Sequence, residues 1–287
     1  MPDQFPAKLL LFGEYTVLNG SQALSVPMSK WNGKWEKSDE SGQMSLIPEY
    51  YRWLQKVDIA DDATYERLIK DFEEGWSFNS NIPVGYGLGS SGAYVAAMYD
   101  RYFNNGENDF EKITDKLAQM EAYFHGSSSG MDPLVSYTRK AIYKDDRGNF
   151  QSVDDKGWPE GFKLFLLDSG AARETSSLVN RYKERSEDHA TTRKIKKQLM
   201  PMVEHAIHFY MNGEKNKLKE SIHSISQFQR EYFEEVIPDE IKTKWDELTS
   251  RKGTYVKLCG AGGGGYFIVI CTGESSDTIS GENIISL

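Results

Sequence analysis

The chain has 287 residues, 39% hydrophobic and 13% aromatic, which supplies the core of one large domain or two ordinary ones and excludes general disorder. Its 43 acidic and 34 basic residues leave a formal charge of −9, which argues against nucleic acid as the main partner. The longest apolar runs, such as Ala93–Tyr99 and Tyr266–Cys271, are far too short to span a bilayer, and two cysteines cannot build a disulfide framework, so a reduced cytoplasmic protein is expected.

In chain order, Met1–Tyr15 lacks the apolar stretch of a signal peptide. Within it, Lys8–Phe12 reads as a buried strand that ends at Gly13. Ser38–Gly42 reads as a polar turn, and Tyr50–Val57 and Thr64–Phe72 as short helices. Ser90 and Ser91 precede the helix-forming run Ala93–Phe103, so a serine hydroxyl is expected to cap that helix. Phe110, Ile113, Leu117, Met120 and Phe124 recur at spacings of three and four, which places them on one face of a helix ending near His125–Gly126.

Arg147–Gly161 is polar and broken by Gly, Asp and Pro. It is the expected boundary between two domains, residues 1–156 and 157–287. Beyond it, Lys163–Asp168 reads as a strand. Ile195, Leu199, Met202, Ala206 and Phe209 mark an amphipathic helix that Pro201 should start or kink. Leu218, Ile222, Ile225 and Tyr232 mark another. Two strand-like runs, Thr254–Leu258 and Tyr266–Cys271, flank Gly260–Gly265. Strands mixed with helices in both halves give an α/β or α+β protein with two layers in each half.

Three loops carry the chemistry. In Pro83–Gly92, three glycines alternate just before a helix start. Glycine lets backbone N–H groups approach a ligand, and a helix N-terminus adds aligned donors, so the geometry suits phosphate. A plain helix start after a flexible turn fits the same residues. No Gly-Lys-Ser/Thr follows, so this is not a P-loop. Gly87-x-Gly89-x-x-Gly92 matches a dinucleotide fingerprint in letters only, because Asn79–Pro83 is polar and proline-broken where that fingerprint needs a strand.

In Phe124–Asp132, Gly126-x-Ser128-x-Gly130 matches a hydrolase nucleophile elbow, but a helix runs in where a strand is needed. The other reading makes Asp132 the working group, able to take a hydroxyl proton or organise a metal; the bland one makes it a turn or cap residue. Glu121, eleven residues earlier, lies one position off the apolar seam of its helix, on the edge of a cleft or as an ordinary solvated carboxylate. In Cys259–Gly265, four consecutive glycines are a poor choice for a plain hairpin and point to a close approach of another loop or a ligand. Lys8 reads as a surface lysine, or as a cation that reaches a phosphate or an acidic group.

Together these loops resemble the GHMP kinases, the superfamily of galactokinase, homoserine kinase, mevalonate kinase and phosphomevalonate kinase. Ala7–Gly20 is similar to the first family motif, Pro83–Ala93 to the second and Lys257–Tyr266 to the third, in the family's order. Among the branches the mevalonate kinases are the nearest. His125–Asp132 is similar to their His-Gly-x-x-Ser-Gly-x-Asp, Glu121 stands where they have a glutamate, and Arg173-Glu-Thr175 is similar to their Arg-x-Thr segment beside the substrate.

The resemblance implies an α+β fold of two domains, the first like the second domain of ribosomal protein S5 and the second ferredoxin-like. It implies ATP and Mg²⁺ as cofactors and a small alcohol, mevalonate or alternatively phosphomevalonate or a sugar, as the partner, with no nucleic acid, no membrane, and a monomer or homodimer. Asp132 would be the catalytic base and Lys8 its cationic partner. Gly85, Gly87, Leu88, Gly89, Ser90 and Ser91 would wrap the ATP phosphates, with Ser91 and Glu121 on Mg²⁺. Glu14, Tyr15, Arg173, Thr175 and Gly262 would line the acceptor pocket. Three features depart from the mevalonate kinase pattern. Tyr15 stands where a histidine is usual, a variant that phosphomevalonate kinases share; Met131-Asp-Pro133 replaces an Asp-Asn pair; and the chain is shorter than many relatives. A non-catalytic ligand sensor on the same fold is disfavoured by Lys8, Glu121 and Asp132 occurring together.

Overall fold

The computed structural model describes residues 4–37, 48–172, 189–273, 279, 281 and 283–287. The expected turn at Ser38–Gly42 and the Arg173-Glu-Thr175 segment lie outside them.

The first half is an antiparallel sheet with helices packed on it. Strand β1 (Phe5–Phe12) pairs with β2 (Ala23–Lys37), whose 15 residues also pair with β3 (Trp76–Ser80) and β4 (Ala141–Lys144), and β5 (Phe150–Val153) continues from β4. Leu9 lies opposite Val26, and Leu24 opposite Tyr143. Pro6 sits at a register shift in the β1–β2 ladder, where its missing N–H is tolerated. Among the helices, α1 (Pro48–Lys56) and α2 (Asp62–Glu73) match the expected short pair.

The central helix is α3 (Ser90–Met98), buried continuously from Gly92 to Met98. A helix enclosed on all sides has no need of a polar face, which explains the unbroken apolar run of Ala93–Tyr99. The expected serine cap is corrected here. Gly89, in the left-handed conformation, is the N-cap, and Ser90 and Ser91 lie inside the first turn with no side-chain cap bond formed. The Ser91 hydroxyl is thereby available for other partners. The run ends in a single wide turn, Tyr99–Phe103. Helix α4 (Phe110–His125) starts at Asp109, whose carboxylate accepts from the N–H groups of Glu111 and Lys112. Helix α5 (Met131–Thr138) follows after a short turn and packs on α3, α4 and β1.

Two further expectations change. Arg147–Gly161 is not wholly a linker, because Phe150–Val153 is a strand of the first sheet. A strand, β3, does precede the Pro83–Gly92 loop, but it is antiparallel to β2 and stops at Ser80, so the βαβ setting of a dinucleotide site is absent.

The second half is a four-stranded antiparallel sheet in the order β7-β8-β6-β9, formed by β6 (Phe162–Asp168), β7 (Thr254–Leu258), β8 (Tyr266–Thr272) and β9 (Ile284–Ser286). Counted from β6, this is the strand order of a ferredoxin-like sheet, with its helices grouped between β6 and β7. Among them are α6 (Met200–Asn212), α7 (Lys215–Tyr232) and α8 (Asp239–Thr249). Pro201 does not break the chain's helical path. It follows a wide turn, Ile195–Leu199, and occupies the first turn of α6, where a missing N–H costs little. The architecture is α+β with two antiparallel sheets. Among the described residues, no helix is long and apolar enough to cross a membrane.

Candidate active site

The loop from 81 to 89 joins β3 to α3, and its shape follows from glycine. Gly85, Gly87 and Gly89 all have positive φ, at 80°, 85° and 71°. Alternation of this kind turns successive backbone N–H groups toward a common concavity. The loop is tied to the sheet by Lys8 N–H donating to Leu88 O at 2.9 Å, and the Leu88 side chain is buried. No side chain caps the first turn of α3, so its donors can serve an anion.

Lys8 projects from β1 to this helix mouth, where its Nζ lies 2.9 Å from Asp132 Oδ2. The lysine side chain is 7% exposed and the aspartate 34%. The close approach depends on small residues. A Cβ on Gly92 would lie 2.9 Å from the Asp132 carbonyl carbon and 3.0 Å from Pro133 N, so α3 and α5 meet through that glycine. A Cβ on Gly89 would lie 3.6 Å from Asp132 Oδ2, which puts the aspartate carboxylate beside the glycine loop. Pro133 falls in the first turn of α5, a place where its missing N–H takes nothing from the helix.

Glu121 comes to the same place from α4. It is 3% exposed, so the ordinary solvated carboxylate is not its setting. It accepts a hydrogen bond from Ser128 Oγ and is also within reach of the Ser91 hydroxyl. Ser91 Oγ in turn lies 3.0 Å from His125 Nε2. Burial first, and the Asp132 charge second, push the Glu121 carboxyl up to about 8, against the pull of Ser128, Lys8 and Ser91. Gly126-x-Ser128-x-Gly130 joins two helices, so the nucleophile-elbow reading fails on its strand requirement.

Of the residues expected around the acceptor, Glu14, Tyr15 and Gly262 lie among the described residues. Glu14 is 2% exposed and forms a buried ion pair with Lys257 of β7, which is 1% exposed and also donates to Leu258 O at 2.8 Å. Burial holds the Glu14 carboxyl above its ordinary range despite the lysine, and Lys8 acts on it weakly as well. Tyr15 has a positive φ of 63°. Its hydroxyl donates to Ala261 O at 2.5 Å, and its ring stacks on Phe233 with centroids 4.6 Å apart. Gly262 is pressed on the Val236 carbonyl, with room for no Cβ. Gly265 and Tyr266 lie against Tyr86 of the phosphate-type loop, with Tyr266 N–H donating to Tyr86 O at 3.3 Å. The third glycine loop is thus a seam between the two sheets, as its glycine content suggested. The Lys257–Glu14 pair, the Ser128–Glu121 bond and the Ser91–His125 contact were not foreseen. Lys257 had a signal, since a lysine inside an apolar strand run needs a buried partner.

Residues 58–140, which include α3, α4 and Asp132, match the family described as GHMP kinases N terminal domain. The chain is 28% identical over 280 residues to a mevalonate kinase of Archaeoglobus fulgidus, covering 94% of this chain and 92% of that protein. The chain is thus similar to the GHMP kinases over residues 58–140 and to that mevalonate kinase along most of its length. A mevalonate kinase of Thermococcus gammatolerans is 27% identical over 206 residues, 62% of this chain and 61% of that protein. The fold is shared with Streptococcus pneumoniae phosphomevalonate kinase, at a TM-score of 0.69 and 14% identity over all of both chains.

Proposed function

We propose that this GHMP kinase transfers the γ-phosphoryl group of ATP to the primary hydroxyl of mevalonate. The observation that carries the reading is the Lys8–Asp132 pair set beside the glycine loop at the mouth of α3. Similarity to the Archaeoglobus mevalonate kinase along nearly its whole length supports the choice of acceptor. Residues 1–156 would supply the nucleotide loop and the base, and residues 157–287 the other wall of the cleft. The protein would work in the cytoplasm, where its two buried thiols, Cys259 and Cys271, stay reduced.

Phosphoryl transfer needs positioning and charge neutralisation more than covalent chemistry. Asp132, partly exposed, takes the proton of the acceptor hydroxyl as its oxygen bonds to the γ-phosphorus. The bond from phosphorus to the bridging oxygen breaks, and ADP leaves with that electron pair. Lys8 holds the Asp132 carboxylate in place, and main-chain N–H groups of Gly85, Gly87, Leu88, Gly89, Ser90 and Ser91 offset the phosphate charge.

The donor set around Glu121 fits Mg²⁺. One hydroxyl, Ser91, and one carboxylate, Glu121, are hard oxygen donors, and a dication would relieve the repulsion between Glu121 and Asp132. Bound there with ATP, the ion neutralises the phosphates. Ser91→Ala is expected to raise the Mg²⁺ concentration needed for half-maximal rate by about 10-fold, the scale of a lost ligand contact, with the acceptor KM little changed. A titration of rate against Mg²⁺ checks this, and an unchanged curve counts against the role of Ser91.

A second reading, phosphomevalonate as acceptor, draws on Tyr15, which departs from the mevalonate kinase pattern. Its hydroxyl is engaged by Ala261 O rather than held out to a substrate. A coupled ADP-release assay with mevalonate, phosphomevalonate, galactose and homoserine tests both. Mevalonate is expected to give the highest kcat/KM. A phosphomevalonate value ten times higher would replace the first reading with the second, and activity with neither would remove both.

A further inference from the structure

We propose that Ser128 is a positioning residue that ties the Glu121 carboxylate to the turn carrying Asp132. The inference rests on the kinase reading and assigns a task to a position that the motif His-Gly-x-x-Ser-Gly-x-Asp leaves open.

The argument starts from what one hydroxyl can do. A serine Oγ carries one proton to donate and lone pairs to accept with. At Ser128 both capacities are used, and by groups on opposite sides of the site. Its proton goes to Glu121 Oε2 on α4. Its oxygen accepts the Gly130 N–H at 2.9 Å. Gly130 is the N-cap of α5 at φ 77°, two residues before Asp132. It cannot drift, because a Cβ there would lie 2.6 Å from Thr114 O and the backbone is pressed on α4. The path from Glu121 through Ser128 to Gly130 therefore runs from the residue proposed for the metal to the start of the helix that bears the base.

The neighbouring serine does not share this role. Ser129, the serine the motif specifies, makes one long contact among the described residues, accepting from Met131 N–H at 3.4 Å. A second hydroxyl that bonds Glu121 is Ser91, and it also lies against His125 Nε2. With Ser128 in place, a carboxylate with almost no access to water is held by hydroxyls on two sides. Without it, the carboxylate loses its bond to the α5 turn and one of the two hydroxyls that fix its orientation. Groups that orient a metal ligand in this way are worth about 10–100-fold in metal affinity or activity.

The test measures retention of Mn²⁺ with ADP, read by the electron paramagnetic resonance of free Mn²⁺, beside steady-state kinetics and a urea midpoint. Ser128→Ala is expected to weaken Mn²⁺ retention in the nucleotide complex by about 10-fold and to lower kcat by a similar factor. The acceptor KM and the urea midpoint should stay near the wild-type values. Ser128→Thr, which keeps the hydroxyl, should restore Mn²⁺ retention to within about threefold of wild type, since only a methyl is added. Wild-type Mn²⁺ retention in Ser128→Ala overturns the inference and leaves the kinase reading intact. Weakening that Ser128→Thr fails to reverse assigns the effect to packing and overturns it too. If the wild-type chain itself retains no Mn²⁺ with ADP, both fall.

Discussion

Asp132→Asn is expected to lower kcat by at least ~10²-fold while leaving ATP affinity roughly intact, as the loss of a general base does. Asparagine matches aspartate in shape, so the close packing of α3 on α5 through Gly92 should survive. What changes is chemistry. The amide cannot take the hydroxyl proton, and Lys8, nearly buried, loses the carboxylate 2.9 Å from its ammonium. In the proposed reading ATP is held instead by main-chain donors of the glycine loop, which the substitution does not touch. Single-turnover measurements with a fluorescent ATP analogue separate the two quantities. Near-normal turnover would remove Asp132 from the mechanism. A parallel loss of nucleotide affinity would show that the residue mainly supports the loop.

The second large effect is on stability. Lys257→Met should destabilise the chain by roughly 3–5 kcal/mol, the range for breaking a buried ion pair from one side. Both partners are almost wholly enclosed, and the lysine comes from the second sheet while Glu14 follows β1 of the first. Burial already holds the Glu14 carboxyl above its ordinary range, and Lys257 is the main force opposing that rise. Without the ammonium, Glu14 must take up a proton to stay buried, or the seam between the sheets must open. The double variant Glu14→Gln/Lys257→Met removes both charges and should recover more than half of the loss, because a pair of neutral groups carries no uncompensated charge. Urea midpoints for the three chains check this. A loss below about 1 kcal/mol in the single variant would place the pair in a wetter setting than the structure indicates.

Tyr15 illustrates how a motif position is read differently once the chain folds. As a letter after Gly-Glu it stands in the acceptor segment of the family pattern. In the structure its hydroxyl meets a carbonyl 246 positions away and its ring stacks on Phe233. Glu14 behaves in the same way, with a partner 243 positions away. Neither contact leaves a trace in local spacing. Lys257 was the nearest thing to a warning, a charge inside a strand whose every residue is buried.

Local order was legible where it rests on short-range physics. Apolar spacing of three and four marked α4, and alternating glycines before a helix-forming run marked the loop that opens α3, because both signals depend on neighbours within one turn. Three ordered motifs were enough to indicate the superfamily and therefore both halves of the fold. The cap of α3 was misjudged because Gly89 takes the left-handed conformation, leaving the serines inside the first turn. Glu121 and Ser128 acquired their setting only when α4, α5 and α3 closed on one another, and the strand at Phe150–Val153 formed only because β4 offered it an edge. Burial of charge, and the pairing that makes it tolerable, are properties of segments brought together from distant parts of the chain, so they exist only in the assembled tertiary structure.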